Sequence, residues 1–411
     1  MVHQAQGQLV QEVAADGALR APPSRYVLKK EQDRPTTTAV VAQPTELSIP
    51  TVDMSRLADA VLKKEQDRPT TTAVVAQPTE LSIPTVDMSR LADADPDEAA
   101  KLRSALQSWG LFAVTAHGMP EPFLDAILGA SRAFFHLPTE AKQEYSNVVD
   151  AEDGGRKFQA EGYGVDRVDT DEQVLDWCDR LYLQVLPEDE RQLRFWPSHP
   201  PDLRELLQEF SVESEKVARL LLASMARSLG FEKGFFTDKV GERMLSYARF
   251  TYYPPCPRPD LVHGLKPHTD NSVVTVLLLD ERVGGLQVLL EGKGWVDVPV
   301  LGGGRHQLLV VVGEEMEIMS NAAFRAPMHR VVAPGEAAER VSLAVFYQPE
   351  PHRVLEPSPE LVGGERPAAM YRRLEAKAFA DGVWDAFALG ERTIDFLKVK
   401  VDQSPAAVSG A

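Results

Sequence analysis

Cysteine is nearly absent: Cys178 and Cys256 are the only two in 411 residues. That excludes a disulfide framework and a cysteine-based metal site, and it fits a reducing compartment. Long apolar runs are missing too, with none near the roughly 20 residues that span a bilayer. The opening stretch, "MVHQAQGQLVQEVAADGALR", has neither the apolar core of a secretory signal nor the basic character of a transit peptide. Basic residues are outnumbered, 44 Lys and Arg against 61 Asp and Glu, for a formal net charge of −17. No basic run or basic helical stripe offsets that balance, so neither nucleic acid nor membrane is an expected partner. A reducing cytoplasm, and by extension the nucleus, is the expected home, with a monomer the expected state. The 44% hydrophobic and 26% charged content is ordinary for a globular chain of this size.

Residues 27–60 and 61–94 are identical, letter for letter: "VLKKEQDRPTTTAVVAQPTELSIPTVDMSRLADA". A 34-residue period invites a helical-repeat reading. There are only two copies, however, and proline and β-branched runs stand where such a repeat needs helix formers. Identity without drift fits a recent tandem duplication or a gene-model error. Removing either copy leaves the same 377-residue chain.

Periodicity divides the chain into four parts: a poorly ordered extension over 1–60, a mainly helical region over 61–240, a β-rich core over 241–355, and a helical segment and tail over 356–411. Asp95 with Pro96 and Glu98 reads as a helix start with a capping box, and Gly110 as its stop. Trp109 and Phe112 belong to the core. "LFAVTAHG" reads as a strand, and a second helix runs through Phe123, Ile127 and Phe134. A long amphipathic helix covers about 202–229. Short strands follow at 247–253, 272–279, 285–290, 307–312, 315–319 and 340–347, and a last helix lies near 367–390. Helices followed by a closed β-core define an α+β protein built on a jelly roll.

The chemistry gathers around "KPHTDNSVVTVLLLD", residues 266–280. A carboxylate near a core is costly unless it is paired or metal-bound. His268 and Asp270, two apart, share one face of an extended chain. His329, in "FRAPMHRVVA", opens another β-like run 59 positions beyond Asp270. Two histidines and one carboxylate on neighbouring strands can occupy one face of an octahedral Fe(II) and leave the other open. In "RVSLAVFY", Arg340 and Ser342 alternate onto one strand face. A guanidinium there is expensive unless it meets an anion, and with the adjacent hydroxyl it suits a carboxylate gripped by both prongs. A zinc hydrolase has no need of that grip, whereas an oxygenase using a dicarboxylic co-substrate does. "RFTYYPPCPRPDL" delivers Tyr253 to the same barrel rim.

These pieces, in this order, resemble the plant-type 2-oxoglutarate- and Fe(II)-dependent dioxygenases with their HxD…H, RxS and NYYPPCP signatures. "IPTVDMSRL", "WGLFAVTAHG", "EGYG", "LDWCDRLYL", "VGGLQV" and "EIMSN" extend the resemblance over nearly everything from residue 81 onward. The block at 158–197 is similar to the senescence-related and codeine-demethylase-like group, including grass enzymes that oxidise triketone herbicides. The resemblance implies a double-stranded β-helix with flanking helices. It implies iron held by His268, Asp270 and His329, and 2-oxoglutarate held by Arg340 and Ser342 with help from Tyr253. O2 would be consumed, ascorbate would serve as reductant, and succinate and CO2 would be released. The expected reaction is hydroxylation or O-demethylation of a small lipophilic plant metabolite or xenobiotic. Phe346, Asn271 and Tyr182 are the substrate contacts it suggests, with Tyr163 and Gln348 at the pocket mouth. Thr251 replaces the usual Asn, and "VPVLGGGRHQ" carries extra glycines and a basic pair. The alternative from another class is a catalytically idle ligand-binding protein on the same fold; five intact ligand positions argue against it.

Overall fold

The computed structural model describes residues 9–17, 19–35, 83–150, 156–280, 282–300, 306 and 308–399. The helices used below are α1 (Val10–Ala14), α2 (Pro96–Ser108), α3 (Glu121–Phe135), α4 (Leu203–Ser228), α5 (Glu314–Met319) and α6 (Ala376–Leu389). The strands are β1 (Thr85–Asp87), β2 (Leu111–Thr115), β3 (Gly162–Gly164), β4 (Asp179–Leu186), β5 (Leu245–Tyr253) and β6 (His263–His268). They continue with β7 (Val274–Leu279), β8 (Leu286–Leu290), β9 (Gly294–Asp297), β10 (Leu308–Val312), β11 (His329–Val332) and β12 (Arg340–Gln348).

Eight strands form a large sheet in the order β1-β2-β10-β7-β12-β5-β4-β3, and four form a smaller one in the order β9-β8-β11-β6. The facing sheets make the double-stranded β-helix of an α+β protein. The run "LLVVV" of β10 shows why the centre of the large sheet reads as unbroken apolar sequence. Leu308, Val310 and Val312 pack with the helices, while Leu309 and Val311 pack with residues of the small sheet. A strand buried on both faces loses its period-two signature. α2, α3 and α4 cover the outer face of the large sheet, with Leu102, Leu106, Phe134, Leu207, Leu221 and Leu222 all buried. Among the described residues no helix is long and apolar enough to cross a membrane.

α2 starts as expected, with the Asp95 carboxylate accepting from the N–H groups of Asp97 and Glu98. Glu98 does not complete a capping box. Its carboxylate turns to the Asp87 N–H, 2.7 Å away, and so ties the helix to β1. Three sequence expectations are corrected. The segment 315–319 is the helix α5, not a strand: acidic residues fill its first turn, where the helix dipole favours them, and the spacing of Met316 and Ile318 only imitates a period of two. β4 and β6 form where no strand was expected. Finally, the described part of 1–60 is packed rather than poorly ordered. Val10 and Gln11 donate their N–H groups to Asp179 at 2.8 and 2.9 Å, Tyr26 sets its ring edge-on to Trp177, and the Leu28 N–H reaches the Leu261 carbonyl. These anchors are sparse and aperiodic, and their partners lie far along the chain, so no local pattern announces them. The start of the first repeat copy (27–35) and the end of the second (83–94) are both docked, and the sequence between them lies outside the described residues. So do the extra glycines, Gly302, Gly303 and Gly304, and most of the C-terminal tail.

Candidate active site

The chain leaves the small sheet at His268, the last residue of β6, and enters the large sheet at Val274. Asp270 sits in that crossover, which answers why a polar pair precedes the most apolar strand: it marks the junction of the two sheets. The crossover needs Gly313, because a Cβ there would lie 1.8 Å from the Ser272 carbonyl oxygen. That approach lets the Glu314 N–H donate to the Asp270 carbonyl at 2.7 Å.

β11 pairs antiparallel with β6, and His329 stands opposite His268 with ring centroids 4.2 Å apart. The Nε2 atoms of His268 and His329 lie 3.7 and 3.5 Å from Asp270 Oδ1. Each Nδ1 faces a backbone carbonyl, Lys266 O at 2.8 Å and Pro327 O at 3.1 Å. A carbonyl can only accept, so Nδ1 carries the proton and both Nε2 lone pairs converge on Asp270. Burial, and then the neighbouring His329, push the His268 pKa well below its usual value and keep the ring neutral. The three ligand atoms lie within 4.8 Å of one another. Two imidazoles and a carboxylate are a fitting donor set for Fe(II).

A cavity of about 350 Å³ opens from this cluster. Period-two alternation fills its walls: Tyr247, Arg249, Thr251 and Tyr253 from β5, and Arg340, Ser342, Phe346 and Gln348 from β12. Arg340 is only 2% exposed and pairs in register with Tyr253, its guanidinium 5.0 Å from the ring centre. Its Nε and Nη1 are buried without a protein hydrogen-bond partner. An unsatisfied buried guanidinium is costly, and a ligand carboxylate is the group that would satisfy it. Tyr253 shares a side-chain hydrogen bond with Ser342, and burial raises its phenol to about 12, so it stays protonated.

Farther from the triad the wall is aromatic. Tyr182 stacks on Tyr247 at 5.1 Å, Phe346 lies 6.2 Å from Tyr182, and Trp384 meets Tyr182 edge-on at 5.7 Å. Phe387 stands edge-on to His268 at 5.8 Å. Asn271 and Gln348 also line the cavity, whereas Tyr163 does not: it packs on Phe134 in the core, with its hydroxyl on Gln11. Beneath the aromatics, Arg249 forks the Asp166 carboxylate at 2.9 and 2.8 Å, and Arg180 reaches it at 3.0 Å. Although burial opposes it, these cations hold Asp166 below the usual carboxylate range. Thr251, at the position usual for Asn, accepts from Arg249 Nε at 3.2 Å. Trp384, Phe387, Arg249 and Asp166 were not anticipated. Arg249 was findable, since it lies four residues before Tyr253 and so on the same strand face. The aromatic spacing of α6 does not say what that helix covers.

Residues 244–349 match the 2OG-Fe(II) oxygenase superfamily, and residues 83–199 match the non-haem dioxygenase in morphine synthesis N-terminal family. The chain belongs to the plant 2-oxoglutarate- and Fe(II)-dependent oxygenases, and it is a 2-oxoglutarate-dependent dioxygenase. It is 33% identical over 394 residues to Protein SRG1 of Arabidopsis thaliana, covering 95% of this chain and 96% of that one. It is 35% identical over 355 residues to Jasmonate-induced oxygenase 2 of the same plant, covering 86% and 83%. Among solved structures, JOX2 in complex with 2OG, Fe and JA superposes with a TM-score of 0.74 at 28% identity, over 96% of this chain and 98% of that one.

Proposed function

We propose that His268, Asp270 and His329 hold Fe(II), that Arg340 and Ser342 with Tyr253 hold the distal carboxylate of 2-oxoglutarate, and that the enzyme hydroxylates or O-demethylates a small lipophilic plant metabolite or xenobiotic. The observation that carries this reading is the buried, unpartnered Arg340 guanidinium in the same cavity as the convergent Nε2 atoms and Asp270. Fe(II), 2-oxoglutarate and O2 together supply oxidative decarboxylation to succinate and CO2, coupled to oxidation of a substrate C–H bond. The protein's part is to fix both imidazole tautomers, orient the co-substrate and exclude water. The aromatic wall of Tyr182, Tyr247, Phe346 and Trp384 favours a flat or lipophilic substrate. Arg249 is already paired with Asp166, which limits the polar demand of that wall. The small ligand of the similar JOX2 complex supports a small-molecule substrate.

The test is succinate release by purified protein with Fe(II), ascorbate and 2-oxoglutarate, screened over phenolics, alkaloids, hormones and triketones. Stimulation by one compound class is expected. Binding of such a compound with no co-substrate turnover would favour the idle ligand-binding alternative.

A further inference from the structure

Beside the triad, α5 carries three buried glutamates, and two of them, Glu314 and Glu317, lie three residues apart on one helix face. Each grips a different metal-bearing segment. Glu314 Oε1 accepts from the hydroxyl of Thr269, the residue between His268 and Asp270, and the Glu314 N–H holds the Asp270 carbonyl. Glu317 Oε2 accepts from the Ala326 N–H at 2.8 Å. Ala326 precedes Pro327, whose carbonyl fixes the His329 tautomer. Two adjacent buried carboxylates repel unless a cation stands between them. Arg392 is that cation: its Nε lies 3.1 Å from Glu314 Oε1 and 3.3 Å from Thr269 Oγ1, and its Nη2 lies 3.2 Å from Glu317 Oε2. Arg392 enters from the segment just beyond α6, which Gly390 ends in a left-handed conformation at φ 72°. The backbone N–H of Ile394 adds a further bond to Glu314 Oε2 at 3.0 Å.

We propose that Arg392 is a positioning residue for the metal triad, bridging Glu314 and Glu317 so that the segment bearing His268 and Asp270 stays in register with the segment bearing His329. The C-terminal segment is then part of the metal centre's outer support. It also follows directly on the helix that supplies Trp384 and Phe387 to the pocket wall, so wall and triad share one anchor. The inference rests on the metal assignment proposed above. It concerns support that reaches the ligands only through Thr269, Glu314 and Glu317; loss of a group bonded directly to a ligand typically costs 10–100-fold in metal affinity, and this more distant bridge belongs at the lower end of that range.

The test uses the full chain with Co(II) as probe, following its release to a chelator by visible absorption without turnover, beside the melting temperature of the metal-free protein. Arg392→Ala should release Co(II) about 10-fold faster than wild type, the lower end of that range. Arg392→Lys, which keeps the charge but cannot span both carboxylates, should fall between the two. Val13→Ala, in the remote N-terminal cluster, serves as a control that lowers stability without touching the bridge. Wild-type release rates in the Arg392 variants would overturn the proposal. So would release rates that simply track melting temperature across Arg392→Lys and Val13→Ala. If Arg392→Ala does not fold, Arg392→Lys decides by the same criteria. Failure of the wild type to take up Co(II) would instead overturn the metal assignment.

Discussion

Replacing Arg340 with lysine separates co-substrate binding from metal binding. The guanidinium is buried, its Nε and Nη1 have no protein partner, and it lies 5.0 Å from the Tyr253 ring centre. Truncating one partner of a buried charge pair costs roughly 2–5 kcal/mol. A lysine keeps the charge but loses the two-pronged geometry, so the lower end applies, about 2–3 kcal/mol. That corresponds to a 2-oxoglutarate requirement raised about 30–150-fold, at 1.4 kcal/mol per factor of ten. Two measurements bear on it. Succinate formation titrated with 2-oxoglutarate should show the shift, while Co(II) affinity stays near wild type because Arg340 touches no triad residue. Thermal stabilisation should follow: a concentration 100 times the wild-type Kd stabilises wild type by about 2.7 kcal/mol and the variant by less than about 1 kcal/mol. An unchanged 2-oxoglutarate dependence would return Arg340 to a structural role.

Asp270→Ala should abolish turnover and strip the iron while leaving the fold nearly intact, since the residue sits in a crossover rather than in a strand; iron content by elemental analysis checks this, and normal loading with full activity would refute the triad. Trp384→Ala removes a wall ring that contacts Tyr182 and should raise substrate KM about 2–12-fold, the worth of one aromatic pair, with the 2-oxoglutarate requirement unchanged. Burial lifts the Asp179 carboxyl from 3.8 to about 7, so the fold favours its neutral form. Its contribution is therefore full below about pH 4 and is lost as pH rises through 7. Asp179→Asn should flatten the fall of melting temperature between about pH 4 and 7, and an unaltered slope would refute that.

The site was legible because its chemistry is written in short spacings. His268 and Asp270 lie two apart, Arg340 and Ser342 alternate on one strand, and each spacing survives folding as a shared face. His329 was legible for a different reason: a histidine at the head of a β-like run can pair with the strand that ends in His268. The outer support was not legible. Arg392 lies 75 residues from Glu317 in sequence, and nothing local says that a helix rich in glutamate will be buried beside the His268–Asp270–His329 cluster. The same helix reads as a strand in the sequence because six residues are too few for a period to declare itself. The N-terminal anchors escaped for a related reason. Asp179 caps α1 from 168 and 169 positions away, and such a contact is a property of the fold rather than of either segment.

Deleting residues 27–60 gives the same 377-residue chain as deleting 61–94. The fold uses the head of one copy, with Leu28 buried, and the tail of the other, with Val86 and Leu91 buried. A single copy holds both a head and a tail, so the shortened chain keeps every described contact of the repeat. What changes is the connection from Pro35 to Ile83, which falls from 47 residues to 13. Thirteen residues reach at most about 46 Å, and a domain of this size has a radius of gyration near 21 Å, so the shorter segment can join most pairs of surface points. Loop closure scales with the logarithm of length, and the shortening is worth at most about 1 kcal/mol in favour of the deleted form. Activity should be unchanged and the melting temperature equal or a few degrees higher, measured by succinate release and by calorimetry on both lengths. A melting temperature lower by more than about 5 °C would mean that 13 residues cannot bridge the two docked ends, or that the segment between them makes contacts of its own. Either outcome would make the second copy a structural requirement rather than a redundant insert.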